Sequence, residues 1–272
     1  MIDLNPLLSL SWQSWNSVDT YEIPGQRQWI QLIVNNSDRL AKFPGKLRQF
    51  QEQFPDRANF FGININAGCP GPNIIQAGQG AALIKRSSRL VQLIRAFLGP
   101  KESHDFKINV KLRLGLNNWE MRENVYLETL ERIHAIDDPR VYPSIVHFKH
   151  AEQTSAEPER WELLETILDS NMPIIINGGL ETPKQMEQLR NRVPRRLRTS
   201  IGMKNVVGIM IGRAAIKNPD IFLAFLPPEQ RNSYLNGEPG EKRLQYNLRI
   251  HPPESRFVEF FASQIFNPKG NS

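Results

Sequence analysis

The run Phe60-Phe61-Gly62-Ile63-Asn64-Ile65, continued by Asn66-Ala67-Gly68-Cys69-Pro70-Gly71-Pro72, sets how the rest of the chain is read. A short stretch rich in aromatic and β-branched residues breaks off at an Asn and a loop built from Gly and Pro. An amphipathic segment, Gly80 to Leu98, follows. The same order of strand, loop and helix recurs on both sides. Strands are expected at Trp29 to Val34, Phe60 to Ile65, Ile108 to Leu114, Ser144 to His147, Pro173 to Asn177 and Val206 to Ile211. Their Ile and Val content predicts burial on both faces. Helices are expected at Arg39 to Phe54, Gly80 to Leu98, Glu120 to Ala135, Glu159 to Asp169, Pro183 to Arg192 and Ala214 to Phe225. Thr182 supplies an N-cap with Pro183 at the first helical position. Val125, Leu127, Leu130 and Ile133 approximate one apolar face of the third helix.

This alternation is the signature of βα units around a parallel sheet, and predicts an α/β fold of the TIM-type (β/α)8 barrel class. The barrel domain is expected over residues 1–226. The polar, Pro- and Gly-rich stretch from Pro227 to Pro253 and a helix near Ser255 to Ile265 form a short helical tail over 227–272. Six strands are legible where a closed barrel needs eight. Either residues 1–27, with Leu7 to Trp12 as a strand candidate, supply degenerate strands, or the chain is truncated, or a homo-oligomer or partner chain closes the barrel.

With 272 residues the chain is long enough for one large core. It is 40% hydrophobic and 23% charged and has no apolar run near the roughly 20 residues of a membrane helix. The N-terminus lacks a basic region followed by an apolar run. A soluble protein is expected. A single cysteine permits no internal disulfide, excludes a multi-cysteine metal site and suggests a reducing, cytoplasmic setting; no metal is expected. The net charge of +6 favours polyanionic partners.

In a βα barrel the C-terminal ends of all strands share one face, so the residues found there converge. They are Gln31, Asn66 with Cys69, Lys111 with Arg113, His147 with Lys149, Asn177-Gly178-Gly179, and Gly212-Arg213. Gly-Gly after a strand is often only a turn. Two such loops in adjacent late units, one followed by Arg213, fit phosphate held by backbone N–H groups. A lone cysteine is often a small buried hydrophobe, but a Gly/Pro loop at a strand end presents Cys69 rigidly. A thiol, mostly protonated at neutral pH, can donate a proton to carbon as well as act as a nucleophile. Arg190, Arg192, Arg195, Arg196 and Arg198 form a basic cluster, either a solvated helix end or a phosphate contact.

Asn66-Ala67-Gly68-Cys69-Pro70 followed by Gln79-Gly80-Ala81-Ala82-Leu83 resembles the active-site segment of tRNA-dihydrouridine synthases. Val110-Lys111-Leu112-Arg113-Leu114-Gly115 is similar to the same family's Val-Lys-x-Arg-Leu-Gly strand. Ile145-Val146-His147, Asn177-Gly178-Gly179 and Val207 to Ala214 complete the series in the family's order, and Gln31 resembles its flavin-contacting Gln.

The resemblance implies an FMN enzyme that uses NADPH and passes hydride to C6 of a uracil in tRNA while Cys69 protonates C5. It implies that Lys111 sits at the pyrimidine end of the flavin, and that Gln31 and His147 contact flavin. Asn177, Gly178, Gly179, Gly212 and Arg213 would complete the cofactor site, and Asn66 with Lys149 would contact substrate. The target base must leave the tRNA stack to reach such a site.

Three departures stand out. The family's first strand carries an Ala-Pro-Met type segment under the flavin, and nothing here corresponds to it. Lys149 stands where the family has Arg, keeping the charge but losing the bidentate fork. The family's C-terminal helical domain is absent or reduced to the tail. Two other readings stay open: a dihydroorotate-dehydrogenase-like flavoprotein acting on a free pyrimidine, and a non-catalytic RNA-binding relative that has lost flavin.

Overall fold

The expected strands recur as a parallel βα series in the computed structural model, which describes residues 2–3, 28–55, 60–199, 202–225 and 260–261. The chain divides into two compact units, Met1–Arg160 and Trp161–Ser272. The first holds β1 (Ile2–Asp3), β2 (Gln28–Ile33), α1 (Ser37–Ala41), α2 (Phe43–Gln53), β3 (Phe60–Ala67), α3 (Pro72–Gln76), α4 (Ser87–Leu98), β4 (Lys107–Arg113), α5 (Asn118–Arg122), α6 (Val125–His134) and β5 (Ser144–His147). These five strands run parallel, each paired with the next.

Side chains alternate along a strand, so the register sorts the first unit into two faces. One is apolar: Ile30 and Leu32, Ile63 and Ile65, Ile108, Val110 and Leu112, and Val146 are almost wholly buried. With Phe43, Leu47 and Phe50 of α2 and Leu90, Leu93, Ile94 and Phe97 of α4 they make up the core. The other face is polar. Gln31 lies opposite Asn64, Asn64 opposite Asn109, Asn66 opposite Lys111, and Arg113 opposite His147. The expectation of strands apolar on both faces is corrected here. The buried amides on this face are tolerated because they hydrogen-bond one another.

The helices are more broken than the sequence predicts. Lys42 separates α1 from α2, where Pro44 sits at the start of a new helix. A 3-10 turn, Gly80–Leu83, precedes α4. Asn124, at φ 55°, separates α5 from α6. The buried stripe of α6 is Tyr126, Thr129, Leu130 and Ile133 rather than one including Val125 and Leu127. Thr129 is accommodated because its hydroxyl donates to the Ile84 carbonyl at 2.6 Å.

The second unit holds α7 (Leu164–Asp169), β6 (Ile174–Asn177), α8 (Pro183–Arg192), β7 (Val206–Ile211), α9 (Arg213–Lys217) and β8 (Phe260–Phe261). β6 and β7 are parallel. Thr182 caps α8 in a full capping box with Gln185, and Pro183 opens the helix. Leu7 to Trp12 and Pro227 to Pro253 lie outside the described residues. Of the helix expected over Ser255 to Ile265, only Phe260 and Phe261 are described. They are extended instead and pair antiparallel with Ile211 and Met210, as suits two aromatic residues beside a strand.

Candidate active site

β3 ends in the loop that carries Cys69, and the side chain of Asn66 fixes that loop from below. Its Oδ1 accepts the backbone N–H groups of Gly68 at 3.0 Å and Cys69 at 2.8 Å. From the other side, Ala81 N–H donates to the Cys69 carbonyl at 3.0 Å. Gly80 takes a left-handed φ of 56° to let this happen. The two segments Gly68-Cys69-Pro70 and Gln79 to Leu83, distant in sequence, therefore form one clamp. Cys69, half-buried, is held by its backbone on both sides.

Beneath the loop lies a row of side-chain amides. Asn66 Nδ2 donates to Gln31 Oε1 at 2.9 Å, Gln31 Nε2 to Asn64 Oδ1 at 2.7 Å, and Asn64 Nδ2 to Asn109 Oδ1 at 2.7 Å. Asn64, Asn66 and Asn109 are buried and Gln31 is half-buried. On the same face stand half-buried Lys111, Arg113 and His147. Arg113 donates to the His150 carbonyl at 2.9 Å, and its Cγ lies 3.4 Å from where a Gly68 β-carbon would be. Burial lowers the pKa of this guanidinium, and the nearby Cys69 opposes that shift. All of these groups belong to the C-terminal half of the parallel strands, as the sequence predicts for Gln31, Asn66, Cys69, Lys111 and His147.

Lys149 is different. It is 3% exposed, and its ammonium donates to the carbonyls of Thr154 and Ser155 at 3.1 Å each and lies 3.6 Å from Glu159. These partners make it a clasp for the loop after β5. That loop also zips to the one after β4: Leu114 N–H donates to Lys149 O, and Ala151 N–H to Gly115 O. Buried Glu120 completes the junction by accepting Leu116 N–H at 2.8 Å beside Lys85.

In the second unit, Asn177 Nδ2 donates to the Met210 carbonyl at 2.9 Å, tying the end of β6 to β7. Gly178 and Gly179 follow at φ 120° and 57°, conformations that favour glycine. A β-carbon on Gly212 would meet nothing within 4 Å, so the protein's own packing leaves that backbone uncovered. Arg213 is exposed at the start of α9. The arginine cluster is partly occupied. Arg196 pairs with Glu165 at 2.9 Å and Asp169 at 2.7 Å. Arg190 bonds Gly202 and Thr199 carbonyls, and Arg198 those of Val193 and Asn191. Arg192 and Arg195 are exposed.

Sequence reasoning passed over Asn64 and Asn109. Their signal was the two-residue spacing Asn64-x-Asn66 and Asn109-x-Lys111, which puts polar groups on one face of neighbouring strands. Among the described residues no helix is long and apolar enough to cross a membrane, and no group of three or more His, Cys, Asp and Glu could hold a metal ion.

The family model for dihydrouridine synthase (Dus) matches residues 30–234. The chain is similar to a probable tRNA-dihydrouridine synthase of Treponema pallidum, 26% identical over 66% of this chain and 50% of that protein. It is also similar to the tRNA-dihydrouridine(16) synthase of Neisseria meningitidis, 26% identical over 65% of this chain and 46% of that protein. The tRNA-dihydrouridine(20a/20b) synthase [NAD(P)+] of Saccharomyces cerevisiae is 24% identical over 72% of this chain and 47% of that protein. The chain thus spans about half the length of the curated relatives it matches. A match over most of its residues, with every strand-end motif inside the matched segment, means that the chain belongs to the dihydrouridine synthase family.

Proposed function

We propose that the chain acts in the reduction of a uracil C5–C6 double bond in tRNA to dihydrouridine, with FMN as cofactor and NADPH as reductant. The observation that carries this reading is the placement of Cys69. The chain's one cysteine is clamped by Asn66 and Ala81 at the end of β3, on a strand whose polar side chains lie beside Lys111 and Arg113.

The residues present fit FMN by their chemistry. Gln31 offers an amide of the kind that matches the imide edge of the flavin ring, and Lys111 brings a positive charge suited to the reduced ring. Asn177, Gly178, Gly179, Gly212 and Arg213 would hold the phosphate, with Gly212 leaving its backbone open to an anion. His147 would contact the flavin. When bound, the flavin supplies the hydride that reaches uracil C6.

The chain's own residues do the rest. Cys69 Sγ gives its proton to C5, and the thiolate left behind recovers a proton from solvent. The two electrons of the new C–H bond at C6 originate in NADPH. Asn66 keeps the thiol in place through the Gly68 and Cys69 backbone. Its amide is already engaged at both ends, so loop positioning is its first task and contact with the uracil its second. Lys149, sequestered by Thr154, Ser155 and Glu159, serves the substrate by shaping the loop after β5.

The test is the visible absorption spectrum of the purified chain after incubation with FMN and removal of the excess. A bound oxidised-flavin spectrum that bleaches with NADPH is expected. A chain that retains no flavin contradicts the reading and favours the RNA-binding relative without cofactor.

A further inference from the structure

We propose that Asn64 and Asn109 are positioning residues for Cys69, acting through a chain of side-chain amides that can point in only one direction. The direction follows from elementary donor and acceptor counting. The backbone groups of Gly68 and Cys69 are both N–H donors, so only the oxygen of Asn66 can face them. Asn66 must then turn its NH2 to Gln31, which must accept with Oε1 and donate with Nε2. Asn64 accepts from Gln31 and donates to Asn109 Oδ1. Each amide's orientation is thus dictated by its neighbour, from the loop inward. The last group in the line, Asn109 Nδ2, is buried and makes no hydrogen bond.

An orphaned donor at the end of the chain has physical content. A buried amide N–H without a partner is costly, and flipping Asn109 alone would set two NH2 groups against each other. Flipping all four would set Asn66 NH2 against two backbone N–H groups. The cost at Asn109 is therefore retained because the other end is fixed by the Cys69 loop. Conversely, removing Asn64 or Asn109 releases Gln31 and Asn66 from their single orientation and loosens the hold on Cys69. That catalytic consequence rests on the reading of Cys69 as the acid; the structural consequence does not.

The two directions separate a positioning chain from ordinary packing. Asn64→Asp keeps an acceptor for Gln31 and lets Asn109 flip to donate its orphaned NH2, so the line toward Cys69 is preserved. Asn64→Leu, of similar size and apolar, leaves Gln31 Nε2 without its acceptor. A role in packing alone would rank Leu at least equal to Asp in this buried position. Two measurements read the loop directly in the full chain. One is hydrogen exchange of the Gly68 and Cys69 amides by NMR. The other is the rate of alkylation by iodoacetamide, which reports Cys69 alone because the chain has one cysteine.

In Asn64→Leu, exchange of both amides should quicken by about tenfold, the size expected for weakening one hydrogen bond. The alkylation rate should change with it. Asn64→Asp should stay within about twofold of the parent in both, since its hydrogen-bond count is kept. Unchanged exchange and alkylation in Asn64→Leu, or equal changes in Leu and Asp, would overturn the proposal. If Asn64→Leu does not fold, Asn109→Leu, which removes only the terminal acceptor, is read by the same criteria. Neither measurement involves flavin, NADPH or tRNA, so a failure here is distinct from a failure of the proposed activity.

Discussion

Gly80 lies so close to Cys69 that a β-carbon on it would stand 2.7 Å from the Cys69 carbonyl oxygen and 3.1 Å from the Cys69 Cβ. The glycine also has φ 56°, where an L-residue costs about 1–2 kcal/mol. Gly80→Ala should therefore lower the unfolding free energy by about 2 kcal/mol, strain and close contact together. Urea denaturation checks this, and a loss below about 0.5 kcal/mol would mean that the clamp relaxes freely.

The titration of His150 should mark the stability of the first unit. The ring is 8% exposed, its Nδ1 makes no hydrogen bond, and burial, the largest influence, lowers its pKa from the usual 6.5. A histidine whose folded pKa is depressed favours the native state fully above its unfolded pKa. That contribution is lost as the pH falls from there through the folded value, because the unfolded chain then binds more protons. Unfolding free energies measured from about pH 7.5 down to about pH 5 should decline. The decline should be shallower in His150→Phe, and identical slopes would remove His150 from the account.

The two exposed arginines of the second unit's basic cluster are separable from the three that bond within the fold. Charge reversal at Arg192 and Arg195 should weaken tRNA binding and flatten its dependence on salt, each lost phosphate contact reducing the slope by roughly one. The thermal midpoint should be unaffected, since neither side chain is buried. Binding that is unchanged at every salt concentration would make this cluster a solvated surface.

Much of this was legible in the chain itself. Ser144 to His147, Val206 to Ile211 and the capped helix Pro183 to Arg192 were readable to the residue. Strand periodicity and the Thr-Pro start are local signals that packing did not override. The breaks at Lys42 and Asn124 were not, because helical periodicity continues across them while a single backbone turn does not. The motif residues Asn66 and Cys69 were identifiable, but the reason for their spacing from Gly80 required the fold. Only there does Ala81 meet the Cys69 carbonyl. Lys149 was misleading in a physical way. A cation at a strand end reads as a ligand contact until its own loop carbonyls and Glu159 are seen to surround it. Asn64 and Asn109 looked like ordinary strand residues, since hydrogen bonds between side chains on different strands leave no trace in either segment alone.

The central claim is that Cys69 donates the proton that completes uracil reduction. The most direct measurement is dihydrouridine formed in tRNA, per bound flavin, by the chain and by its Cys69→Ala variant, with flavin reduction by NADPH followed in parallel. The account predicts that both proteins reduce flavin at comparable rates while only the parent forms dihydrouridine at speed. General acid catalysis of this kind contributes about 100-fold or more. Dihydrouridine formation at the parent rate in Cys69→Ala would contradict it.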